Sequence, residues 1–146
     1  MEAGSNLSND HSHTRPADIL IPNWSLGKPA AFDLSVTSPL NSNILLEAGF
    51  GAGQAARATE ERKHEENDAK CKELGWVCVP MVVEAYGAWG TEAMESFSLL
   101  ASRLATSSNR AKAEVLAALY GRLNLILIRA NATAILSRCF VPDYYL

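Results

Sequence analysis

The chain has 146 residues, of which 48% are hydrophobic and 20% are charged, and its formal net charge at pH 7 is −3. This composition is that of an ordinary globular domain, and it excludes the fibrous and highly charged disordered classes. One domain of this length can bury a hydrophobic core. The acidic balance argues against binding of nucleic acid through an overall positive field.

The sequence also limits the compartment in which we expect the protein. The N-terminus lacks an apolar segment, and no uninterrupted apolar run reaches transmembrane length, so we expect neither a signal peptide nor a membrane partner. Cys71, Cys78 and Cys139 are an odd number of cysteines without metal-ligand spacing. This pattern is typical of reduced thiols, and we therefore predict an intracellular protein.

The chain begins with a polar stretch over residues 1–14, which we interpret as a flexible tail. A single domain is predicted over residues 15–138, and it opens with two short strands. The first strand is the apolar run 17–21, which contains Asp18, and the second spans residues 31–37.

The second strand alternates apolar and polar residues, and this alternation predicts its two faces. Phe32, Leu34 and Val36 are expected to share a buried face, while Asp33 lies on the opposite, polar face with Ser35 and Thr37. The turn-rich stretch 23–29 predicts a hairpin loop longer than two residues.

An antiparallel hairpin of this kind would bring Asp18 and Asp33 side by side on neighbouring strands. Two adjacent carboxylates repel each other unless a cation neutralises them. The pair is therefore a candidate site for a hard divalent cation such as Mg²⁺.

Helical spacing of apolar residues predicts a helix over residues 44–67, followed by a loop over 68–75. The Gly-x-Gly-x-Gly run from Gly49 to Gly53 follows a helix start and lacks the P-loop lysine pattern, so it favours close helix–sheet packing over phosphate binding. The mixed-charge run 60–66 is interpreted as a solvated helix end.

The third predicted strand covers residues 76–86 and is nearly all apolar, as expected of a strand covered on both faces. Pro80 within it indicates a bulge or a free edge. Thr91 is a candidate cap for a helix over 92–106, and a last helix is predicted over 110–137.

Apolar residues at helical spacing define the inward faces expected of these two helices. For the helix over 92–106 they are Met94, Phe97, Leu100 or Ala101, and Leu104. For the last helix they are Val115, Leu116, Leu119, Leu123, Leu127, Ala130 and Ala134. Residues 139–146 are expected to form a C-terminal extension.

The order strand, strand, helix, strand, helix, helix, with an aspartate on each of the first two strands, resembles the restriction-endonuclease-like fold of the PD-(D/E)XK nucleases. Segments 15–20, 32–39 and 79–90 resemble the C-terminal endonuclease region of LINE-type retroelement reverse-transcriptase reading frames. The resemblance covers roughly residues 15–138, and it implies an α/β (α+β) core that lacks the first helix and strand of that fold.

The resemblance implies a role for individual residues. Asp18 matches the first metal-binding aspartate, and Asp33 matches the acidic residue of the D/E-x-K motif. Ser35 occupies the position of the motif lysine, and Lys63 resembles a lysine that some family members carry on the following helix. The alternatives to Lys63 are Arg57 and Arg62.

The activity that the resemblance implies is hydrolysis of a DNA phosphodiester bond with Mg²⁺ or Mn²⁺ held by the two aspartates. DNA would then be the partner, and the protein would be nuclear if it acts on chromosomal DNA. The alternative is a catalytically inactive member or fragment of the same fold that acts as a nucleic-acid or protein interaction module. Ser35, the expected lack of the first helix and the acidic net charge favour this alternative, whereas the aspartate pair and Lys63 favour the enzyme.

Overall fold

The computed structural model describes residues 17–40 and 51–139, which form a three-stranded sheet and three helices. The elements are, in chain order, β1 (Ile19–Ser25), β2 (Lys28–Thr37), α1 (Gln54–Glu73), β3 (Val77–Glu84), α2 (Thr91–Ser108) and α3 (Lys112–Cys139). The predicted order of strands and helices is confirmed, as is the mixed α+β class. The predicted tail over 1–14, the helix start at 44 and the extension beyond 139 lie outside the described residues.

Strands β1 and β2 form an antiparallel hairpin that is tighter than the sequence predicts. Ser25 pairs with Lys28, so only Leu26 and Gly27 lie between the strands, with φ of 50° and 78°. Two successive residues with positive φ match the right-handed twist of the flanking strands, and glycine accepts this conformation at little cost. The predicted longer loop is therefore wrong, and Trp24 belongs to β1 and enters the core.

Strand β3 joins the sheet parallel to β2, which makes β2 the central strand. Helix α1 forms the crossover that a parallel connection needs. All of β3 from Cys78 to Glu84 is buried, which confirms the expected cover on both faces. Pro80 lies on β3, an edge strand of the sheet, and pairs with Asp33 of the central strand β2. This position is in keeping with the free edge predicted at Pro80.

Helices α2 and α3 pack on one face of the sheet, and α1 packs on the other. The core on the α2–α3 side contains Trp24, Ala30, Phe32, Val79, Met81, Ala93 and Phe97. Its aromatic rings meet edge to face: the Phe97 ring lies 4.8 Å from Trp89 and 5.5 Å from Tyr120 between centroids. Such pairs add to the stabilisation from buried area alone.

The prediction that Leu34 and Val36 are buried with Phe32 is wrong. Their exposed fractions are 50% and 63%, because the core under α2 and α3 is built on Ala30 and Phe32 and does not reach the end of β2. The opposite face of β2 is better covered at this end of the strand, because Thr37 is buried and lies against α1.

Two helices differ from their predicted bounds or faces. Helix α1 continues to Glu73, so the loop predicted over 68–75 is wrong for most of its length. Helix α2 buries Phe97 and Ala101 as predicted, whereas Met94 and Leu104, also predicted to be buried, are 45% and 50% exposed. The residues that α2 buries are Ala93, Ser96, Phe97, Ala101 and Ala105. Four of these five side chains are small, which lets the helix approach its neighbours closely.

Helix α3 packs through the first part of its predicted stripe. Val115 and Leu127 are buried, and Leu116, Leu119 and Leu123 pack against the core. The prediction fails for Ala130 and Ala134, which are exposed near the end of the helix. Among the described helices, none has the length and apolar character needed to cross a membrane.

Two buried glutamates cap helices to which they do not belong. Glu84, at the end of β3, accepts hydrogen bonds from the backbone N–H groups of Ala55 and Ala56 at 3.0 and 3.4 Å. It thereby satisfies donors of the first turn of α1 that have no partner within the helix. Its negative charge also lies at the positive end of the helix dipole.

Glu60 does the same for α2. Its Oε1 accepts from the N–H groups of Glu92 and Ala93 at 3.1 and 3.2 Å. Burial raises the pKa of Glu60, and the backbone hydrogen bonds partly oppose this shift. Thr91 was predicted as the cap, but the cap position is Gly90 and Thr91 is the first helical residue. The interpretation of 60–66 as a solvated helix end is wrong for Glu60, which is buried.

We expect replacement of Glu84 by alanine to lower the free energy of unfolding by about 2–4 kcal/mol, because two N–H groups of α1 lose a buried, charged acceptor. The variant Glu84→Gln keeps an acceptor oxygen of similar shape and should lose less than half as much. Urea unfolding of both variants beside the wild type measures the difference. Equal losses in the two variants would contradict the capping role.

Candidate functional site

Asp33 and Lys63 form an ion pair between strand β2 and helix α1. Lys63 Nζ lies 2.8 Å from Asp33 Oδ2, and Asn67 Nδ2 donates to the same oxygen at 3.1 Å. The side chains of Asp33 and Lys63 are only 15% and 19% exposed. Lys63 and Asn67 are four residues apart, so they lie on one face of α1 directly over Asp33.

Asp18 lies next to Asp33 at the start of the neighbouring strand. Ile19 pairs with Phe32, which puts the preceding Asp18 beside Asp33 along the two antiparallel strands. Asp18 Oδ2 accepts a hydrogen bond of 2.8 Å from the backbone N–H of Leu34. This bond holds the exposed Asp18 carboxylate against the backbone of β2. Asp18 is the residue just before the start of β1.

The remaining residues of the predicted site fall around this group. Ser35 is half-buried on the same face of β2 as Asp33. Of the three basic residues considered, Lys63 is the one that contacts Asp33. Arg57 is exposed, and Arg62 pairs with Glu66 at 2.8 Å on the solvent side of α1.

The carboxylates of Asp18 and Asp33 are the groups of this region that could ligate a hard cation. Within the described part of the chain, the hydrogen bonds and the ion pair of these two aspartates are at Oδ2. Mg²⁺ prefers carboxylate oxygens and retains several waters when it binds to a protein. The half-buried ammonium of Lys63 lies beside the Asp33 carboxylate.

A second cluster of polar residues lies next to this group, and sequence reasoning missed it. His64 Nδ1 is 2.7 Å from Asp68 Oδ1, and His64 Nε2 is 2.6 Å from Glu92 Oε1 on α2. Cys78 of β3 completes the cluster, and the ligand atoms of His64, Asp68 and Cys78 all lie within 4.8 Å of one another. Burial lowers the pKa of His64, but the hydrogen bonds to the two carboxylates outweigh it and raise that pKa overall.

Cys78 is a buried free thiol that packs against the buried free thiol of Cys71, whereas Cys139 is exposed. Burial raises the pKa of Cys78 to about 12, and the neighbouring Cys71 thiol and the charges of Asp68 and Asp33 act in the same direction. The only signal in the sequence was the four-residue spacing of His64 and Asp68. The cysteine comes from another element, which only the fold brings near.

An open cavity of about 450 Å³ gives solvent access to this second cluster. Its lining residues are Lys28, His64, Asp68, Cys71, Lys72, Gly75, Trp76, Val77 and Cys78.

No family model matches the chain, and comparisons with curated proteins and with solved structures also gave no match.

Proposed function

We propose that the chain is a restriction-endonuclease-like domain of retroelement origin that hydrolyses a DNA phosphodiester bond with the help of Mg²⁺ or Mn²⁺. The observation that supports this most strongly is the 2.8 Å contact between Lys63 and Asp33. The PD-(D/E)XK resemblance requires a lysine beside the second aspartate, but Ser35 occupies its usual position. Lys63 supplies the ammonium group from helix α1 instead.

The connectivity of the sheet supports the same proposal. An antiparallel hairpin carries the two aspartates, and a crossover helix then leads to a strand parallel to the second strand of the hairpin. This is the arrangement expected of the nuclease core once its first helix and strand are removed. The register of β1 and β2 adds that Asp18 and Asp33 are neighbours, as two ligands of one ion must be.

In this proposal the residues of the chain have separate tasks. Asp18 and Asp33 would hold the metal ion, which on binding neutralises phosphate charge and lowers the pKa of a coordinated water. Lys63 keeps one N–H on Asp33 and directs its others toward the phosphate, where negative charge develops during attack. The attacking water loses a proton to solvent as its oxygen forms a new P–O bond, the ester P–O bond breaks, and the leaving oxygen takes a proton from solvent.

Nicking of supercoiled plasmid DNA tests the proposal. The wild type should nick in Mg²⁺ or Mn²⁺ and not in the presence of a chelator. Asp33→Asn, which removes one metal-binding carboxylate with little change in shape, should reduce nicking to background. Glu61→Gln is the matched control, because Glu61 is an exposed carboxylate on α1 and its loss should leave nicking unchanged.

Two results would overturn the nuclease proposal. One is a folded wild type that does not nick with either metal. The other is an Asp33→Asn protein, purified in the same way, that nicks as fast as the wild type, because the activity would then come from a contaminant or from another site. Either result would leave the aspartate pair without a catalytic role.

A further inference from the structure

The cluster of His64, Asp68 and Cys78 combines two elements of the fold, and Glu92 adds a third. His64 and Asp68 lie one turn apart on α1, and Cys78 lies on β3 opposite Ala31 of β2. Glu92 reaches the cluster from the first turn of α2. None of these residues belongs to the group formed by Asp18, Asp33 and Lys63, so an inference about the cluster is independent of the nuclease proposal.

The donor atoms of the cluster are those that zinc accepts. An imidazole nitrogen, a carboxylate oxygen and a cysteine sulfur form a mixed set that suits the borderline-soft Zn²⁺. Mg²⁺ and Ca²⁺ take oxygen ligands and are not expected to use a buried thiol. The chemistry of the donors therefore separates this cluster from the two-aspartate group.

The distances within the cluster are near those that one small ion needs. A tetrahedral Zn²⁺ binds nitrogen, oxygen and sulfur at about 2.0–2.3 Å, which puts its ligands roughly 3.3–3.8 Å apart. The three ligand atoms already lie within 4.8 Å of one another, and His64 Nδ1 and Asp68 Oδ1 are 2.7 Å apart. Binding of the ion would require side-chain rotations that bring these distances to the required spacing.

Glu92 provides a second, independent observation. Metal-binding histidines usually donate their other ring N–H to a carboxylate or carbonyl, which fixes the orientation and tautomer of the ring. Glu92 Oε1 lies 2.6 Å from His64 Nε2, and Asp68 Oδ1 lies 2.7 Å from Nδ1, so the two carboxylates fix the orientation of the ring. The imidazole is thereby oriented for an ion at the centre of the cluster.

We propose that His64, Asp68 and Cys78 bind one zinc ion, which ties helix α1 to strand β3, with a water from the adjoining cavity as the fourth ligand. The cavity provides the path by which the ion enters. A simpler reading is that His64 only bridges Asp68 and Glu92 as an ion pair. An ion pair of this kind does not involve Cys78. The effect of substituting Cys78 on zinc affinity therefore distinguishes the zinc site from the ion pair.

The test measures zinc binding to the purified full chain after removal of metals with a chelator and under reducing conditions. Zinc alone is the probe, and its affinity is read by competition with a chromophoric chelator. The wild type should bind one ion per chain. Cys78→Ser and His64→Gln should each raise the dissociation constant for zinc roughly tenfold or more, as losses in a metal site do.

Cys139→Ser is the matched control, because Cys139 is an exposed thiol at the end of α3 and its loss should not change zinc affinity. Cobalt substitution adds a direct readout: the wild type should develop thiolate-to-cobalt absorption, which Cys78→Ser should lose. His64→Gln changes a half-buried position on a helix surface, so it remains interpretable if the buried Cys78→Ser variant does not fold. A wild type that binds no zinc, or a His64→Gln protein with wild-type affinity, would overturn the proposal.

Discussion

In the proposed nuclease, Lys63→Met should lower the rate of plasmid nicking by roughly 100-fold or more, because removal of one positioned group that stabilises developing charge has effects of this size. Methionine keeps most of the length and the apolar stem of lysine and removes the charge. Lys63→Arg keeps the charge, but its planar guanidinium cannot occupy the position of a compact ammonium. The Lys63→Arg variant should therefore retain only part of the wild-type activity.

The same variant also tests the structural role of the ion pair. Loss of Lys63 leaves the largely buried Asp33 carboxylate with Asn67 as its remaining described partner, and we expect a destabilisation of about 1–3 kcal/mol. Adding Asp33→Asn to Lys63→Met should recover part of that stability and none of the activity. If the ion pair had a structural role alone, its removal would lower the stability of the protein, and the wild type would show no metal-dependent nicking.

Lys70→Met is the control for these measurements. Lys70 is an exposed lysine on the same helix, so the substitution makes the same chemical change away from Asp33. Its nicking rate and its urea midpoint should match those of the wild type. Nicking by Lys63→Met at the rate of Lys70→Met would contradict a catalytic role for Lys63.

The type and order of the elements could be predicted from the sequence because periodicity is a local property. Their inward faces were harder to predict. The sequence pattern of α2 favours Met94 and Leu104 as core residues, yet the helix turns its alanines inward, since small side chains permit closer packing than the pattern of large ones indicates. The two-residue turn of the predicted hairpin was missed for a similar local reason: leucine at Leu26 is an unusual residue for a turn position with positive φ.

The candidate site, like the fold, could be predicted from the sequence only in part. The Asp33–Lys63 contact could not be predicted from spacing, because no spacing rule links a residue of β2 to one thirty positions later; Lys63 was named only through the resemblance. The buried glutamates Glu60 and Glu84 had no signal at all, since each caps a helix distant in sequence. Cys78 was counted as an isolated thiol for the same reason: its neighbours are set by the pairing of β3 with β2 and the packing of α1.

Gly90→Ala should lower the free energy of unfolding by about 2–4 kcal/mol, because the added methyl group overpacks a buried site and displaces a helix cap. A Cβ atom at this position would lie only 2.1 Å from Oε1 of Glu60, the oxygen that caps α2. The backbone of Gly90, with φ of −66° and ψ of 164°, is accessible to alanine. The expected cost is therefore steric and does not come from backbone strain.

Gly121→Ala is the matched control and should have the opposite sign. Gly121 lies within α3, and a Cβ added there meets no atom of the described residues within 4 Å. Alanine in a helix interior is more favourable than glycine by about 1 kcal/mol, so this variant should be slightly more stable than the wild type. The contrast between the two substitutions removes any general effect of replacing glycine by alanine.

A double-mutant cycle identifies the cause of the Gly90→Ala effect. In a Glu60→Ala background the carboxylate is absent, so the methyl group of Gly90→Ala has room and the cost of the substitution should fall to less than half. Urea unfolding of the four proteins gives the coupling free energy between the two positions. An unchanged cost in the Glu60→Ala background would mean that Gly90 is required for another reason and that the Glu60 cap does not hold α2 in place. A large coupling would instead establish that α1 and α2 are joined through this carboxylate, one helical turn from the His64 cluster and from the Lys63 ammonium.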